Sequence, residues 1–265
     1  MPTVLVAVGP RGARLPPPER APPLSTGPPL ALPEALRLLR EGELSIEGRL
    51  LDASNATLYC GVSLDGLSAT CVYKPVQGER PLWDFPDGTL AGREVSAYLV
   101  SEATGWDVVP PTVLRDGPFG TGMCQLWVDI DEQIDLQALA RSDHEDLRRM
   151  AVFDAVVNNA DRKGGHLLPR HDGRIQGVDH GICFSSEDKL RTLLWQWRGE
   201  PLTDEAIEVL SRLRAELEGQ LAGTLLELLT RREVRRTVER VDGLLASRVH
   251  PFPSQDWPAI PWPPF

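Results

Sequence analysis

A chain of 265 residues that is 42% hydrophobic and 25% charged has the composition of a soluble globular protein, with length for one large domain or two lobes. Its formal net charge of -10 and pI of about 5.1 argue against broad binding to nucleic acid or to an anionic membrane surface. No apolar run approaches the roughly 20 residues of a membrane span. Val4–Val8 is too short for a signal-peptide core and has no basic region before it, so a cytoplasmic setting is expected.

Cys60, Cys71, Cys124 and Cys183 show no CxxC or Cys/His spacing, which predicts reduced thiols rather than a zinc site. Residues 1–32 carry Pro2, Pro10, Pro16, Pro17, Pro18, Pro22, Pro23, Pro28 and Pro29. Such a leader predicts disorder or polyproline II, without helix or sheet ladders.

Pro33 to Arg40 predicts a short helix ended by Gly42. Three β-rich runs follow, Leu44 to Leu51, Thr57 to Leu64 and Ser68 to Lys74, with Asp65-Gly66 as a hairpin signal. The link from Asp52 to Thr57 is a plain turn when read alone. In a nucleotide site its small residues would let backbone N–H groups approach phosphates. After a loop bearing Trp83-Asp84-Phe85-Pro86, a helix is expected from Thr89, as cap, to Thr104, with Gly105 past its end. Two further strands are expected over Val108 to Leu114 and Gly122 to Ile130, joined by a glycine-rich turn.

The remainder is mainly helical. Ser142-Asp143-His144-Glu145 has the spacing of a capping box. The helix it opens becomes apolar nearly all round at Leu147, Met150, Phe153, Val156 and Val157, which marks a buried, central element. That helix gives way near Asn158. Short strands are expected over His166 to Leu168 and Arg174 to Val178, then helices over Thr203 to Leu217, Leu221 to Leu229 and Arg232 to Ala246. The tail, Pro251 to Phe265, alternates proline with aromatics and should be extended. Its aromatics dock on the chain's own surface or, in the polyproline mode, on a protein partner; the proline-rich leader is an inert segment or offers the same partner role.

A small β-rich lobe holding one helix, followed by a helical lobe, is a kinase layout. The division expected is a leader over 1–32, a nucleotide-binding lobe over 33–130, a helical lobe over 131–250 and a tail over 251–265. Lys74 lies near the end of the third strand and Glu94 early in the next helix. A kinase needs such a lysine for the phosphates and such a carboxylate to fix its ammonium. Asp161 follows the buried helix and Asp179 follows a β-like stretch. Of two such carboxylates, one orients a hydroxyl while the other holds a metal on the phosphates.

Asn158-Asn159-Ala160-Asp161-Arg162 resembles the catalytic loop of the phosphoinositide-kinase-like branch of the protein-kinase superfold, and Val178-Asp179-His180-Gly181 resembles its metal-binding segment. Residues 42–247, with Tyr73-Lys74-Pro75, the Trp83–Pro86 loop and Arg93-Glu94, resemble an actinobacterial family described as related to phosphatidylinositol 3-/4-kinases. The resemblance implies an α+β, bilobal protein-kinase-like fold and an ATP-dependent phosphotransferase using Mg²⁺ or Mn²⁺. It implies that Lys74 binds the α- and β-phosphates and Glu94 orients it. Asp161 acts as catalytic base or orients the acceptor, Arg162 joins Asp161 and Lys74 among the catalytic candidates, and Asp179 ligates the metal. Ser54, Asn55 and Thr57 lie over the phosphates, while Gln125 to Val128, with Trp127, form the strand that meets adenine. The family pattern expects an asparagine as second metal ligand where this chain has His166. Imidazole suits Mn²⁺ better than Mg²⁺, so the metal preference is altered, one metal suffices, or the site binds nucleotide with little catalysis. A nucleotide-binding pseudokinase and an AMP-transferase are therefore the alternatives to a kinase, and the acceptor is not legible in the sequence.

Overall fold

The structure is a computed structural model describing Val4–Leu5 and residues 30–50 and 55–265. Two compact units divide the chain: residues up to Ala91 with Pro111–Trp127, and Gly92–Pro110 with Val128–Phe265.

The first unit is an antiparallel sheet. Strands β1 (Val4–Leu5), β2 (Glu43–Leu50), β3 (Thr57–Leu64), β4 (Leu67–Pro75), β5 (Thr112–Gly117) and β6 (Gly120–Leu126) lie in the order β1-β2-β3-β4-β6-β5. Val4 and Leu5 pair with Leu50 and Arg49, a small ladder that the proline-rich leader was not expected to supply. The rest of that leader lies outside the described residues. Helix α1 (Leu32–Glu41) buries Ala35, Leu38 and Leu39. Leu38 and Leu39 join Cys60, Val62, Cys71, Tyr73, Val113 and Cys124 in one core. Each large apolar side chain buried there contributes about 1.5–3 kcal/mol before entropy. The β3–β4 turn is the expected Asp65-Gly66, at φ 50° and 81°, the pair of left-handed residues that a tight hairpin needs.

Strands β5 and β6 are displaced from their expected positions. Val108-Val109 reads as strand, but Pro110 and Pro111 have no N–H for a ladder, so β5 starts at Thr112. The turn is Pro118-Phe119, inside the hairpin closed by Gly117 and Gly120. Gly117 and Gly122 each lie against the Tyr73 ring, where a Cβ would approach to 2.7 Å, and the Tyr73 hydroxyl donates to Gly120 O at 2.5 Å. The glycine-rich loop is thus a turn built over a tyrosine.

In the second unit, most of α2 (Leu90–Thr104) lies with α3 (Leu136–Ala140), α4 (Glu145–Val157), the pair β7 (Leu167–Pro169) and β8 (Ile175–Gly177), α5 (Asp204–Glu216), α6 (Gln220–Leu225) and α7 (Arg231–Ser247). Ser142 does not open α4. Its hydroxyl donates to Leu139 O, closing the unforeseen α3, and His144 is the N-cap, its Nδ1 accepting from Asp146 N–H at 3.1 Å. Glu145 and Asp146 in the first turn suit the helix dipole. Arg93 on α2 is 1% exposed, donates to Cys183 O at 2.8 Å and pairs with Glu233 of α7 at 2.5 Å. All four cysteines are free and buried. Burial, with Cys71 and Glu47 nearby, pushes the Cys60 thiol up to about 12, and burial likewise raises Cys183, so these thiols are inert fillers. Among the described residues no helix is long and apolar enough to cross a membrane.

His250 gives the second unit a dependence on pH. It is 3% exposed, and its Nε2 accepts from Arg148 Nε at 3.4 Å. Burial, reinforced by the Arg148 charge, lowers its pKa to about 4. The folded state therefore holds His250 neutral. Its contribution to stability is complete above the unfolded pKa of about 6.5 and is lost as pH falls toward 4. The loss is on the order of 3 kcal/mol. Urea midpoints at pH 7 and 4.5 should differ less for His250→Gln than for the parent; equal differences would exclude His250 as the source.

Candidate active site

Helix α4 carries one carboxylate into an apolar interior. Asp154 is 0% exposed among Met150, Ala151, Phe153 and Val157. An ionised carboxylate there must be paired and fully hydrogen-bonded. Arg162, also 0% exposed, meets it with two donors, Nε to Oδ2 at 3.0 Å and Nη2 to Oδ1 at 2.9 Å. Asn159 Nδ2 adds a third hydrogen bond to Oδ1 at 3.0 Å. Burial alone lowers the Arg162 pKa, but the Asp154 charge outweighs it and the net shift is upward.

The helix ends where Asn158 adopts φ 52° and ψ 54°, a left-handed cap that asparagine tolerates. Its side chain donates to Ser185 O at 3.1 Å and to Glu187 O at 2.6 Å, and accepts from Lys189 N–H at 2.9 Å. Asn159 Oδ1 accepts from Asp161 N–H at 3.0 Å, so the residue before the turn shapes it. Segment 191–193 runs alongside: Arg191 N–H donates to Asn159 O, Arg162 N–H to Arg191 O and Leu193 N–H to Arg162 O.

Asp161 emerges from this loop with its side chain 20% exposed, and Lys163 Nζ lies 2.9 Å from its Oδ2. Asp179, 50% exposed, stands at φ 63° between Val178 and His180. A non-glycine residue in that region costs strain that recurs at functional sites. The two loops share one anchor. The guanidinium of Arg162, next to Asp161, donates from Nη1 to Val178 O at 3.1 Å, and its Nη2 lies 2.6 Å from His180 Nε2. Gly177 leaves room for it, since a Cβ there would come within 2.9 Å of Nη1. His180 N–H in turn donates to Glu94 Oε2 at 2.8 Å, and Glu94 is 2% exposed.

His166 Nε2 lies 3.3 Å from Asp179 Oδ2, and Val178 N–H donates to His166 O. The two expected metal ligands are therefore neighbours. Burial lowers the His166 pKa against the opposing pull of Asp179, so the imidazole is neutral at pH 7, the form that ligates metal. Among the described residues no group of three or more His, Cys, Asp or Glu forms a protein-only metal cage. Mg²⁺ takes one or two protein carboxylates and completes its shell with water and phosphate oxygens. Asp179, half exposed with His166 at one oxygen, is a donor of that kind.

The other expected site residues divide. Arg162, expected among the catalytic groups, is 0% exposed and engages Asp154, Val178 O and His180. Lys74 lies half-buried on β4, paired with Met123 of β6. Ser54 lies outside the described residues. Asn55 spends its Oδ1 on Arg80 N–H at 2.8 Å, and Thr57, 3% exposed, turns its hydroxyl to Asn55 O. Both hydrogen bonds are made within the first unit. Gln125 is 4% exposed, sits in register between Val72 and Thr112, and donates from Nε2 to Thr112 Oγ1. Trp127 gives its N–H to Thr70 O and sets its ring edge-on to Tyr59 at 5.1 Å. Gln125 is thus a sheet residue, and Trp127 and Val128 are the first residues past β6. Unanticipated were Asp154, the anchoring use of Asn158 and the Glu79 carboxylate, which accepts from Leu90 and Ala91 N–H at the start of α2 while Thr89 donates its hydroxyl to Pro86 O. A lone aspartate in an apolar helix is a readable signal for the first of these.

No family model matches the chain. It is 46% identical over 263 residues to protein Rv2133c of Mycobacterium tuberculosis, covering 86% of this chain and 94% of that protein. Phosphatidylinositol 4-kinase gamma 4 of Oryza sativa is 26% identical over 190 residues, 57% of this chain but only 34% of that longer protein. Among solved structures, the Golgi casein kinase aligns with a TM-score of 0.53 at 12% identity, covering 82% of this chain and 75% of that one. The Helicobacter pylori proinflammatory kinase CtkA aligns at 0.50 and 11%, covering 80% and 94%. At such identities the structural likeness shows the fold. An N-terminal antiparallel sheet with a mostly helical C-terminal part is thus a protein-kinase-like fold, and the chain belongs to the family of Rv2133c, with the plant gamma phosphatidylinositol 4-kinases as distant relatives.

Proposed function

We propose that the protein is an ATP-dependent phosphotransferase that moves the γ-phosphoryl group to a hydroxyl acceptor. The observation that carries this reading is the pair of loops locked by one guanidinium, each presenting an accessible carboxylate beside a nitrogen group: Asp161 with Lys163 and Asp179 with His166. Asp161 orients the acceptor hydroxyl and takes its proton as the O–P bond forms. Lys163 holds that carboxylate in place and adds positive charge where phosphoryl charge is spread in the transition state. Asp179, with His166, would hold Mg²⁺ or Mn²⁺, which neutralises phosphate charge when bound. Within the first unit, the family resemblance makes Lys74 the candidate phosphate-binding residue.

The kinase-like fold and the distant phosphatidylinositol 4-kinase relatives support phosphotransfer; an acceptor of lipid, protein or small-molecule type is equally served by an oriented hydroxyl. One observation favours a second reading, a nucleotide-binding regulatory module: His166 already engages Asp179. Incubating the protein and cell extract with γ-labelled and, separately, α-labelled ATP distinguishes the outcomes. Label passing from γ alone supports phosphotransfer. Label passing from α replaces it with AMP transfer, and metal-dependent binding without either transfer supports the regulatory module.

A further inference from the structure

We infer that residues 257–265 form a strap that positions the catalytic loop, with Pro264 and Phe265 as positioning residues for Asp161; the inference rests on the phosphotransferase reading for its effect on rate, not for the contact itself. The segment has no helix or strand of its own, and proline at 258, 261, 263 and 264 removes N–H donors and stiffens it. Its carbonyls act as acceptors instead. Pro264 O accepts from Gly164 N–H at 2.8 Å. Ala259 O accepts twice, from Thr192 N–H at 3.1 Å and from Trp195 Nε1 at 2.9 Å. Lys189 Nζ sits 4.7 Å over the Trp257 ring, a cation–π contact.

These acceptors fall on two stretches that carry the site. Gly164 lies three positions past Asp161, within the same loop. Thr192 lies in segment 191–193, which hydrogen-bonds to Asn159 and Arg162 on the other side. The loop is therefore held along its length by 191–193 and at its far end by the strap. Gly164 is buried, and the edge of the Phe265 ring occupies the place where a Cβ would stand. Only glycine admits the ring at that distance. At Gly164 and Thr192 the strap meets backbone donors, and it leaves Asp161 20% exposed and Asp179 50% exposed, so it braces the loop rather than covering its carboxylates.

The test uses the full chain with Phe265→Ala, Phe265→Leu and Gly164→Ala. Amide hydrogen exchange is read over 159–166, and ATP turnover is read as kcat and KM. Phe265→Ala and Gly164→Ala should each speed exchange at Gly164 by about tenfold. Each should lower kcat by about tenfold to a hundredfold, with KM for ATP little changed, because orientation rather than binding is lost. Phe265→Leu, which keeps apolar contact, should recover most of both. Unchanged exchange in the loop overturns the strap whatever turnover shows. Faster exchange with unchanged kcat overturns its positioning role. Absence of turnover in the parent protein defeats the phosphotransferase reading, and exchange then decides the strap alone.

Discussion

Asp179→Asn removes both ATP turnover and the metal-dependent part of nucleotide binding, whereas Asp161→Asn removes turnover and leaves binding intact. Both changes are nearly isosteric. Asparagine tolerates the left-handed backbone at 179 as aspartate does, and both side chains are partly exposed, so neither variant should unfold. At Asp161 the loss is that of a positioned general base, about 10²- to 10⁴-fold in kcat. At Asp179 it is the loss of a metal-held charge that supplies several kcal/mol, about 10³-fold or more. Binding separates the two. Nucleotide with Mg²⁺ or Mn²⁺ at a hundred times its Kd stabilises by about 2.7 kcal/mol, which for a chain of this size is a rise in Tm of about 5–10 °C. Asp161→Asn should keep that rise and Asp179→Asn should lose it. Parental turnover in either variant, or a full metal-dependent rise in Asp179→Asn, would remove that residue from its role.

How much of this was legible in the sequence follows from what each signal depends on. Elements set by local chemistry came through: the Asp65-Gly66 hairpin, the helix stop near Asn158 and the periodic helices α5 and α7 each lie within a residue or two of expectation. Elements decided by competition did not. Ser142 carries a good cap signal, but its hydroxyl closes the preceding helix, and a histidine took the cap. The paired carboxylates were readable from order and resemblance. Their support was not, because it is tertiary. Nothing local says that Arg162 turns inward to Asp154, that Asn158 reaches Ser185 and Glu187, or that the expected adenine strand spends Gln125 on Thr112. The tail's self-docking was one of two sequence readings, and Gly164, an ordinary loop glycine by sequence, acquires its meaning only from the Phe265 ring.

The Asp154–Arg162 pair should be the costliest single contact in the second unit to break. Both side chains are 0% exposed, and Arg162 cannot shed its charge to escape burial. Asp154→Asn therefore leaves a buried guanidinium without its counter-charge, and Arg162→Met leaves a buried carboxylate still facing Asn159 and Thr192. Each should cost about 3–5 kcal/mol in urea unfolding at constant m. The double variant Asp154→Asn with Arg162→Met removes both charges and should cost less than the sum of the singles by about 2 kcal/mol. Strict additivity, or a single change costing under about 0.5 kcal/mol, would show that the pair does not carry this load. The same guanidinium holds Val178 O and His180, so the consequence extends to function. Arg162→Lys keeps the charge but gives up the fork that reaches two loops at once. It should therefore lower kcat by more than its stability loss explains. That excess distinguishes a residue holding two carboxylate loops together from one that only fills the interior.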